Sequence, residues 1–511
     1  MGPVRRLAPR ESPMSRPTRR RLLRDSTIAL AMLTAGFPNR FDTGGRPAFA
    51  GEPAAAGKDR LSVMVCGVAG RGWALANAFA QHPSCRVTFI CDVDEAIGRN
   101  RVNEFERRYG YRPVFIRDLR HGCDDQNLDV VVVATPNHWH ALAAIWAMQA
   151  GKDVYLEKPV SHTIWEGQQL IAAARKHQRI CQTGTQSRSL AGAIAAVDYV
   201  QSGKIGDVRL ARGLCYKRRK SIGGKGIVEP PAAVDYDLWV GPAEMRPVDR
   251  PRFHYDWHWQ YHWGDGDLNN QGVHQMDVAR WGLGVDSLSD SVISYGGRLG
   301  YADAGDTPNT QVAIHRCGDK TITFEVRGLE TDPMFAAKIG DVFYGTDGIV
   351  ALGDWGRGVA LAPDGKVVER FGHDVVGSAY EVGTISHVGN FVDAVTRRSP
   401  AELHADIREG HLSAGLGHAA AISYRLGKPA SVDEVIEALA AFGGADDNLE
   451  VVNRTVDHLQ ANGVDLKVTP LQLGLALQMD PRSETFTGNE RANNMLTRKY
   501  RHGFEVPDLR G

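Results

Sequence analysis

The feature that most narrows the folds open to this chain is a pair of short apolar runs, Leu61–Cys66 and Arg86–Cys91, separated by a glycine-rich turn and a helical stretch from Trp73 to Gln81. Apolar runs of that length bracketing a helical period read as a βαβ unit. The turn is Gly67, Val68, Ala69, Gly70, Arg71 and Gly72. Glycines at 67, 70 and 72 allow a bend tight enough for a pyrophosphate to approach helix amides, although Ala69 stands where the dinucleotide fingerprint has its middle glycine. Asp92 ends the second run, where a carboxylate meets the ribose hydroxyls of a dinucleotide. Gly67, Ala69, Gly70, Arg71, Gly72 and Asp92 therefore form the expected cofactor cradle. A 2′-phosphate would face the charge of Asp92, which favours NAD over NADP, with Arg99 keeping NADP open.

The alternation continues. Leu128–Ala134 is a β-branched run of the kind covered on both faces, Ala141–Ala150 is a helix closed by Gly151, and Asp153–Glu157 is the next strand. Residues 59–184 are thus expected to form an α/β, doubly wound parallel sheet. Beyond about residue 206, strands at Val208–Leu214, Gln311–His315 and Thr321–Val326 lie between long Gly- and Pro-rich loops. They predict a second, α+β domain over 185–442 with a mostly antiparallel open sheet. Helical periods return at Thr384–Thr396, Ile407–Tyr424 and Val432–Ala441, and the polar tail 443–511 is expected to wrap over the body. At 511 residues, two domains plus appendages fit the usual domain size.

Lys plus Arg and Asp plus Glu number 60 each, which gives no reason to expect nucleic acid as a partner. The balance is uneven along the chain, because residues 1–50 hold ten Arg and only three acids. Within them Thr18–Arg24 contains consecutive arginines, an apolar stretch follows from Ile28 to Phe37, and Ala48-Phe49-Ala50 has the small-x-small pattern of a cleavage site. Residues 1–50 read as a twin-arginine export signal, with Met14 an equally good start. The apolar stretch is too short for a stable membrane span. The expected partner is the export machinery and the expected location is the periplasm. The seven cysteines include no CxxC and no zinc spacing, so no metal is expected.

Several motifs then occur in order over most of residues 60–425: Ala134-Thr135-Pro136-Asn137-His138-Trp139-His140, Glu157-Lys158-Pro159, Gly184-Thr185-Gln186-Ser187-Arg188, and Gly272-Val273-His274 running on to Trp281. Together they resemble the Gfo/Idh/MocA family of sugar oxidoreductases. The resemblance implies that Thr135, Pro136, Asn137, His140, Glu157, Lys158 and Gln186 line the cofactor, and that Arg188 faces substrate. It also implies that Lys158 polarises the reacting hydroxyl while His274 exchanges its proton. A lysine desolvated at the carboxyl end of a parallel strand can hold the lowered pKa that this work needs. The family usually has Asp four residues before the histidine; here Asn270 stands there, so that either nearby Asp265 or Asp267 compensates in the catalytic set Lys158, His274 and Asn270, or the chemistry departs from simple alcohol oxidation. Members commonly associate through the second sheet, so a homo-oligomer is implied.

Phe253–Trp263 interleaves six aromatic residues with three histidines and Asp256. Aromatic faces stack on sugar C–H faces while polar neighbours bond hydroxyls, so Trp257, Trp259 and Tyr261 are the expected substrate wall. His254, His258 and His262 at spacing four offer an alternative metal reading. The leading expectation is an NAD-dependent oxidoreductase acting on a carbohydrate or polyol. One alternative is a glycosidase or sugar transhydrogenase that keeps NAD tightly bound and shows no net redox, which suits a compartment without free NAD. Another is a non-catalytic sugar-binding protein on a dehydrogenase fold.

Overall fold

A computed structural model describes residues 60–510 apart from 336, 354–355 and 374–377. The proposed export segment lies outside the described residues.

The first domain carries strands β1 (Leu61–Cys66), β2 (Cys85–Cys91), β3 (Val114–Ile116), β4 (Val130–Val133), β5 (Asp153–Leu156) and β6 (Cys181–Thr183). Between them run helices α1 (Arg71–Gln81), α2 (Glu95–Tyr109), α3 (Leu119–Cys123), α4 (His140–Gln149) and α5 (Ile164–Lys176). All strand pairs are parallel, in the order β3-β2-β1-β4-β5-β6. The four valines of β4 are wholly buried, as a central strand with helices on both faces requires. Helix α2 begins where Asp94 accepts from the amides of Ala96 and Ile97, and ends at Gly110 in the left-handed region (φ 74°). The strand order reverses between β1 and β4, and the crevice at their carboxyl ends is where such sheets bind ligands.

The second sheet adds β7 (Val208–Cys215), β8 (Ser291–Gly297), β9 (Thr310–Cys317), β10 (Lys320–Arg327), β11 (Ile339–Gly345), β12 (Ile349–Gly353), β13 (Gly358–Leu361) and β14 (Val367–Phe371), followed by β15 (Lys428–Ala430), β16 (Leu471–Leu473), β17 (Leu477–Asp480) and β18 (Thr485–Phe486). Its pairs are antiparallel except β7 with β10. Helices α6 (Ala191–Gln201), α7 (Tyr236–Val240), α8 (Gly266–Asn270), α9 (Gly272–Leu283), α10 (Ala379–Arg397), α11 (Ile407–Arg425), α12 (Val432–Phe442) and α13 (Asn448–Ala461) follow, with a last short helix, α14 (Glu490–Asn493), in the tail. Residues of α6, α9 and α11 share one apolar core with one face of this sheet, and α12 and α13 share another with β8 and β9.

Late segments complete the first domain. Val388, Phe391 and Val392 of α10 share a core with β1, β4 and α1, with Phe391 edge-on to Phe79 and Tyr155. On the opposite face Phe504 and Val506 pack with α4, where Phe504 meets Trp139 edge-on. The tail is also pinned by charge. Arg212 bonds Asp446 (2.6 Å) and Glu450 (2.7 Å), Arg454 pairs with Glu325, and Tyr500 donates to Glu166 (3.0 Å).

Candidate active site

The crevice is built from the turns that end β1, β2, β4 and β5. Gly67 is in the left-handed region (φ 80°), and a Cβ there would lie 2.6 Å from the Ala134 carbonyl oxygen, so only glycine lets the turns after β1 and β4 meet. A Cβ at Gly72 would stand 1.8 Å from the Gly67 oxygen, whereas one at Gly70 would meet nothing within 4 Å. Two glycines thus hold the turn shut against protein, and the third leaves open space above the helix. Asp92 accepts from the amides of Val68 (2.8 Å) and Asp94 (2.9 Å), which fixes its carboxylate at the end of β2. Burial raises its carboxyl above the ordinary range while those amides draw it back. Arg99 lies outside this arrangement, paired with Glu95 on the surface. Thr135 and Gln186 each bury a side-chain oxygen with no partner, Oγ1 and Oε1 respectively. Open space over Gly70, a fixed carboxylate and unpartnered oxygens on the same sheet edge fit a dinucleotide.

Glu157 is buried and accepts from Arg71 Nε (2.7 Å), while Arg71 Nη1 also donates to Tyr380 and Thr384 of α10 (2.9 Å each). The arginine of the glycine turn is therefore a strut between the sheet edge and α10. A Cβ on Gly184 would lie 2.7 Å from Glu157 Oε1, so the turn after β6 closes directly on the carboxylate.

Lys158 follows, ahead of a cis bond to Pro159, and its Nζ donates to the Asn270 carbonyl oxygen (2.8 Å). Asn270 ends α8 and His274 lies in the first turn of α9; Gln271 breaks the two helices apart, and the His274 amide bonds the Gln271 oxygen (3.1 Å). Asn270 and His274 thus straddle a junction that receives the lysine. Burial lowers the Lys158 ammonium to about 8; Glu157 resists the change, and Arg71, Lys217 and Arg219 add to it. Burial also holds the His274 imidazole well below its ordinary value, with Lys158, Arg71, His387 and Lys217 adding to the effect. At neutral pH the site pairs a neutral imidazole with a readily deprotonated ammonium.

Behind it, Asp265 accepts from Asn137 Nδ2 (2.7 Å) and meets His162 Nδ1 (3.1 Å), with His418 Nδ1 at 3.5 Å. Burial opposes ionisation of Asp265, but His162, His418 and Asn137 outweigh it and hold the carboxyl below its ordinary range. Asn137 is thereby fixed by a buried carboxylate. Both His140 nitrogens face carbonyl oxygens, of Pro159 (2.5 Å) and Thr135 (2.8 Å), so His140 ties the turn after β4 to the one after β5.

The aromatic stretch divides. Trp257 stacks on His258 (3.6 Å, 19°) and Tyr255 stands beside that ring (4.7 Å) with φ 67°, a strained value for a non-glycine residue. Burial lowers the His258 imidazole to about 3, with Lys158 and Arg219 adding to the effect. Trp259 is instead buried with Ile222 and Ala304 beneath Arg219, whose guanidinium stacks on it (4.6 Å) while bonding both oxygens of Asp267. Tyr261 lies under Arg425 with its hydroxyl buried. Arg188 is engaged by both oxygens of Asp277 and by Glu409. The three histidines of the stretch do not converge: His254 bonds Asp94, His258 the Tyr255 oxygen, and His262 the Glu244 oxygen.

Sequence reading did not foresee the Arg71–Glu157 strut, the Asp265 hub joining Asn137, His162 and His418, or the stacking of Trp257 on His258 beside Tyr255. A basic residue in the glycine turn facing an acid beside the lysine is a signal for the first. The hub joins residues far apart in sequence and leaves none.

Residues 61–185 match the family model described as the oxidoreductase family's NAD-binding Rossmann fold, and residues 209–315 match the model of the same family's C-terminal alpha/beta domain. Glycosyl hydrolase family 109 protein 2 of Shewanella sp. (strain ANA-3) is 33% identical over 130 residues, 24% of this chain and 28% of the relative. Levoglucosan dehydrogenase of Pseudarthrobacter phenanthrenivorans is 32% identical over 136 residues, 24% of this chain and 35% of the relative. The chain thus spans about a third or less of the length of these relatives. Among solved structures, the WlbA dehydrogenase from Bordetella pertussis in complex with NADH and UDP-GlcNAcA aligns with TM-score 0.51 at 23% identity, over 72% of this chain and 96% of that one. A levoglucosan dehydrogenase in complex with NADH and levoglucosan aligns with TM-score 0.53 at 19% identity, over 71% and 97%. Both share the fold, a parallel six-stranded Rossmann sheet followed by a mostly antiparallel one.

Proposed function

We propose, from the premise that residues 61–185 and 209–315 are the two domains of the Gfo/Idh/MocA oxidoreductase family, that this chain transfers hydride between a carbohydrate and NAD. The observation that carries the reading is Lys158, held at the carboxyl edge of the parallel sheet with its Nζ on the Asn270 carbonyl, beside the turn that bears His274. Gly67, Gly70, Gly72 and Asp92 would hold the dinucleotide, with Thr135 and Gln186 offering their unpartnered oxygens. Bound NAD supplies the hydride acceptor. Neutral His274 takes the proton of the substrate hydroxyl at a ring nitrogen, and the Lys158 ammonium stabilises charge developing on that oxygen. The Arg71–Glu157 strut holds the lysine's strand end in place.

The test is NADH formation across a panel of sugars and polyols by wild type, Lys158→Ala and His274→Ala. Both variants should retain NAD binding and lose about 10²- to 10⁴-fold in turnover. Unchanged turnover in either variant would remove that residue from the chemistry.

A second reading has its own support. The Rossmann segment resembles a glycosyl hydrolase family 109 protein, and Asn270 lacks the charge that would raise imidazole basicity. Under it NAD stays bound and the sugar is oxidised only transiently, so NAD released on denaturation would approach one per chain. We further propose that residues 1–50 direct export of the folded protein; Thr18–Arg24 and Ala48–Ala50 support this, and replacing Arg19, Arg20 and Arg21 by Lys should leave the product in the cytoplasm.

A further inference from the structure

The charges at the candidate site do not cancel. Each guanidinium there is paired with a carboxylate, Arg71 with Glu157 through Nε and Arg219 with both oxygens of Asp267. Asp265 is committed to His162 and Asn137. His258 and His274 are held neutral by burial. Position 270, beside Lys158, is an amide. Two ammonium groups remain. Lys158 is bonded only to a carbonyl oxygen, and Lys217 is exposed, with no ion pair or side-chain hydrogen bond among the described residues.

The fold aims Lys217 at the crevice. Side chains alternate along β7, and Tyr216 keeps to that pattern. Tyr216 faces away from α9, bonding Glu325, while Cys215 shares the core of α9. β7 ends at Cys215, and residues 217 and 219 follow it by two and four positions. Arg219 reaches Asp267 of α8, and Lys217 is among the cations acting on both Lys158 and His274.

Resting on the proposed function, we infer that the substrate is a sugar bearing a carboxylate, a hexuronic acid or its glycoside, whose acid group pairs with Lys217 while a ring hydroxyl meets Lys158 and His274. One exposed ammonium suits a monoanion. A phosphate dianion is met by open guanidinium forks or runs of backbone amides, whereas the Arg219 fork is closed by both oxygens of Asp267 and the Arg71 charge is already paired with Glu157 through Nε. Tyr255 and the Trp257–His258 stack offer the sugar ring an aromatic rim.

The experiment uses the full chain loaded with NAD. Binding and turnover are measured for glucuronate, galacturonate, mannuronate and their methyl glycosides, for the parent hexoses and for the hexose 6-phosphates, in wild type, Lys217→Met and Lys220→Met. The uronates should be favoured over the matched neutral sugars by about tenfold or more in kcat/KM. Lys217→Met should collapse that ratio toward one, while Lys220→Met, which removes the same charge from the same loop, should leave it within about twofold. Equal use of neutral sugars, preference for 6-phosphates, no uronate binding to the NAD-loaded chain, or a ratio insensitive to Lys217 would each overturn the inference and leave the proposed oxidoreductase standing. A chain that binds no NAD would overturn both.

Discussion

Glu157→Gln should make Lys158 a neutral amine at neutral pH. Burial already takes the ammonium from 10.5 to about 8, and Glu157 is the carboxylate that resists. An opposite charge within about 4–6 Å is worth about one to three pH units, so the midpoint should fall to roughly 5–7. Arg71 strengthens the effect, because its guanidinium, now bonded to Glu157 at 2.7 Å, would act on the lysine without an opposing charge. The sign follows from the chemistry: the free base dominates above the midpoint, so a lower midpoint means more amine and less ammonium at pH 7. The measurement needs no substrate. Lys158 is acylated at a series of pH values and its labelling rate read from the derived peptide by mass spectrometry, with a thermal melt to show that the variant is folded. Arg71→Gln should move the midpoint the other way, since it removes a like charge and leaves Glu157 unbalanced. Midpoints that stay together in all three proteins, or that move in the same direction, would refute the electrostatic account of Lys158.

Three further outcomes are expected. Gly72→Ala should abolish NAD binding in a calorimetric titration, because its Cβ would stand 1.8 Å from the Gly67 oxygen and displace the turn. Burial pushes the Glu325 carboxyl up, but Arg454, Arg327 and Arg212 more than reverse it and hold it at about 2, below the ordinary 4.5. Its stabilisation is therefore full above pH 4.5 and lost as pH falls toward 2; Glu325→Gln should cost about 3–5 kcal/mol at pH 7 in denaturant titrations and flatten the loss of stability between those pH values. Phe504→Ala should cost about 3–5 kcal/mol by the same assay, since its ring is 8% exposed and packed against Trp139 and Trp146, and a change below about 1 kcal/mol would show that the tail does not support the first domain.

Much of the fold was legible because its signals are local. The valine run of β4 and the Gly151 that closes α4 mark their elements within a few residues. Helix α10 begins at Ala379 rather than near Thr384 because Ser378 caps it, a cue that the apolar period alone does not contain. The glycine turn, Asp92 and Lys158 were equally legible, being set by strand ends. The aromatic stretch was not. Counting rings does not tell which ones face a crevice when Tyr255 turns the backbone at φ 67° and a 3₁₀ turn follows at Asp256–Trp259. Trp259 consequently goes under Arg219 and Tyr261 under Arg425. Arg188 sits in a family motif, yet Asp277 and Glu409, 89 and 221 residues away in sequence, take its guanidinium.

The return of the tail to the first domain has a consequence for how the protein is made. A ribosome releases the βαβ units of β1 to β6 long before it releases α10, Phe504 and Val506, which supply parts of both layers of that sheet's core. The nascent domain must wait with apolar surface uncovered until residues more than 300 positions later emerge. A truncation near residue 500 should therefore be felt first in the part of the protein made earliest.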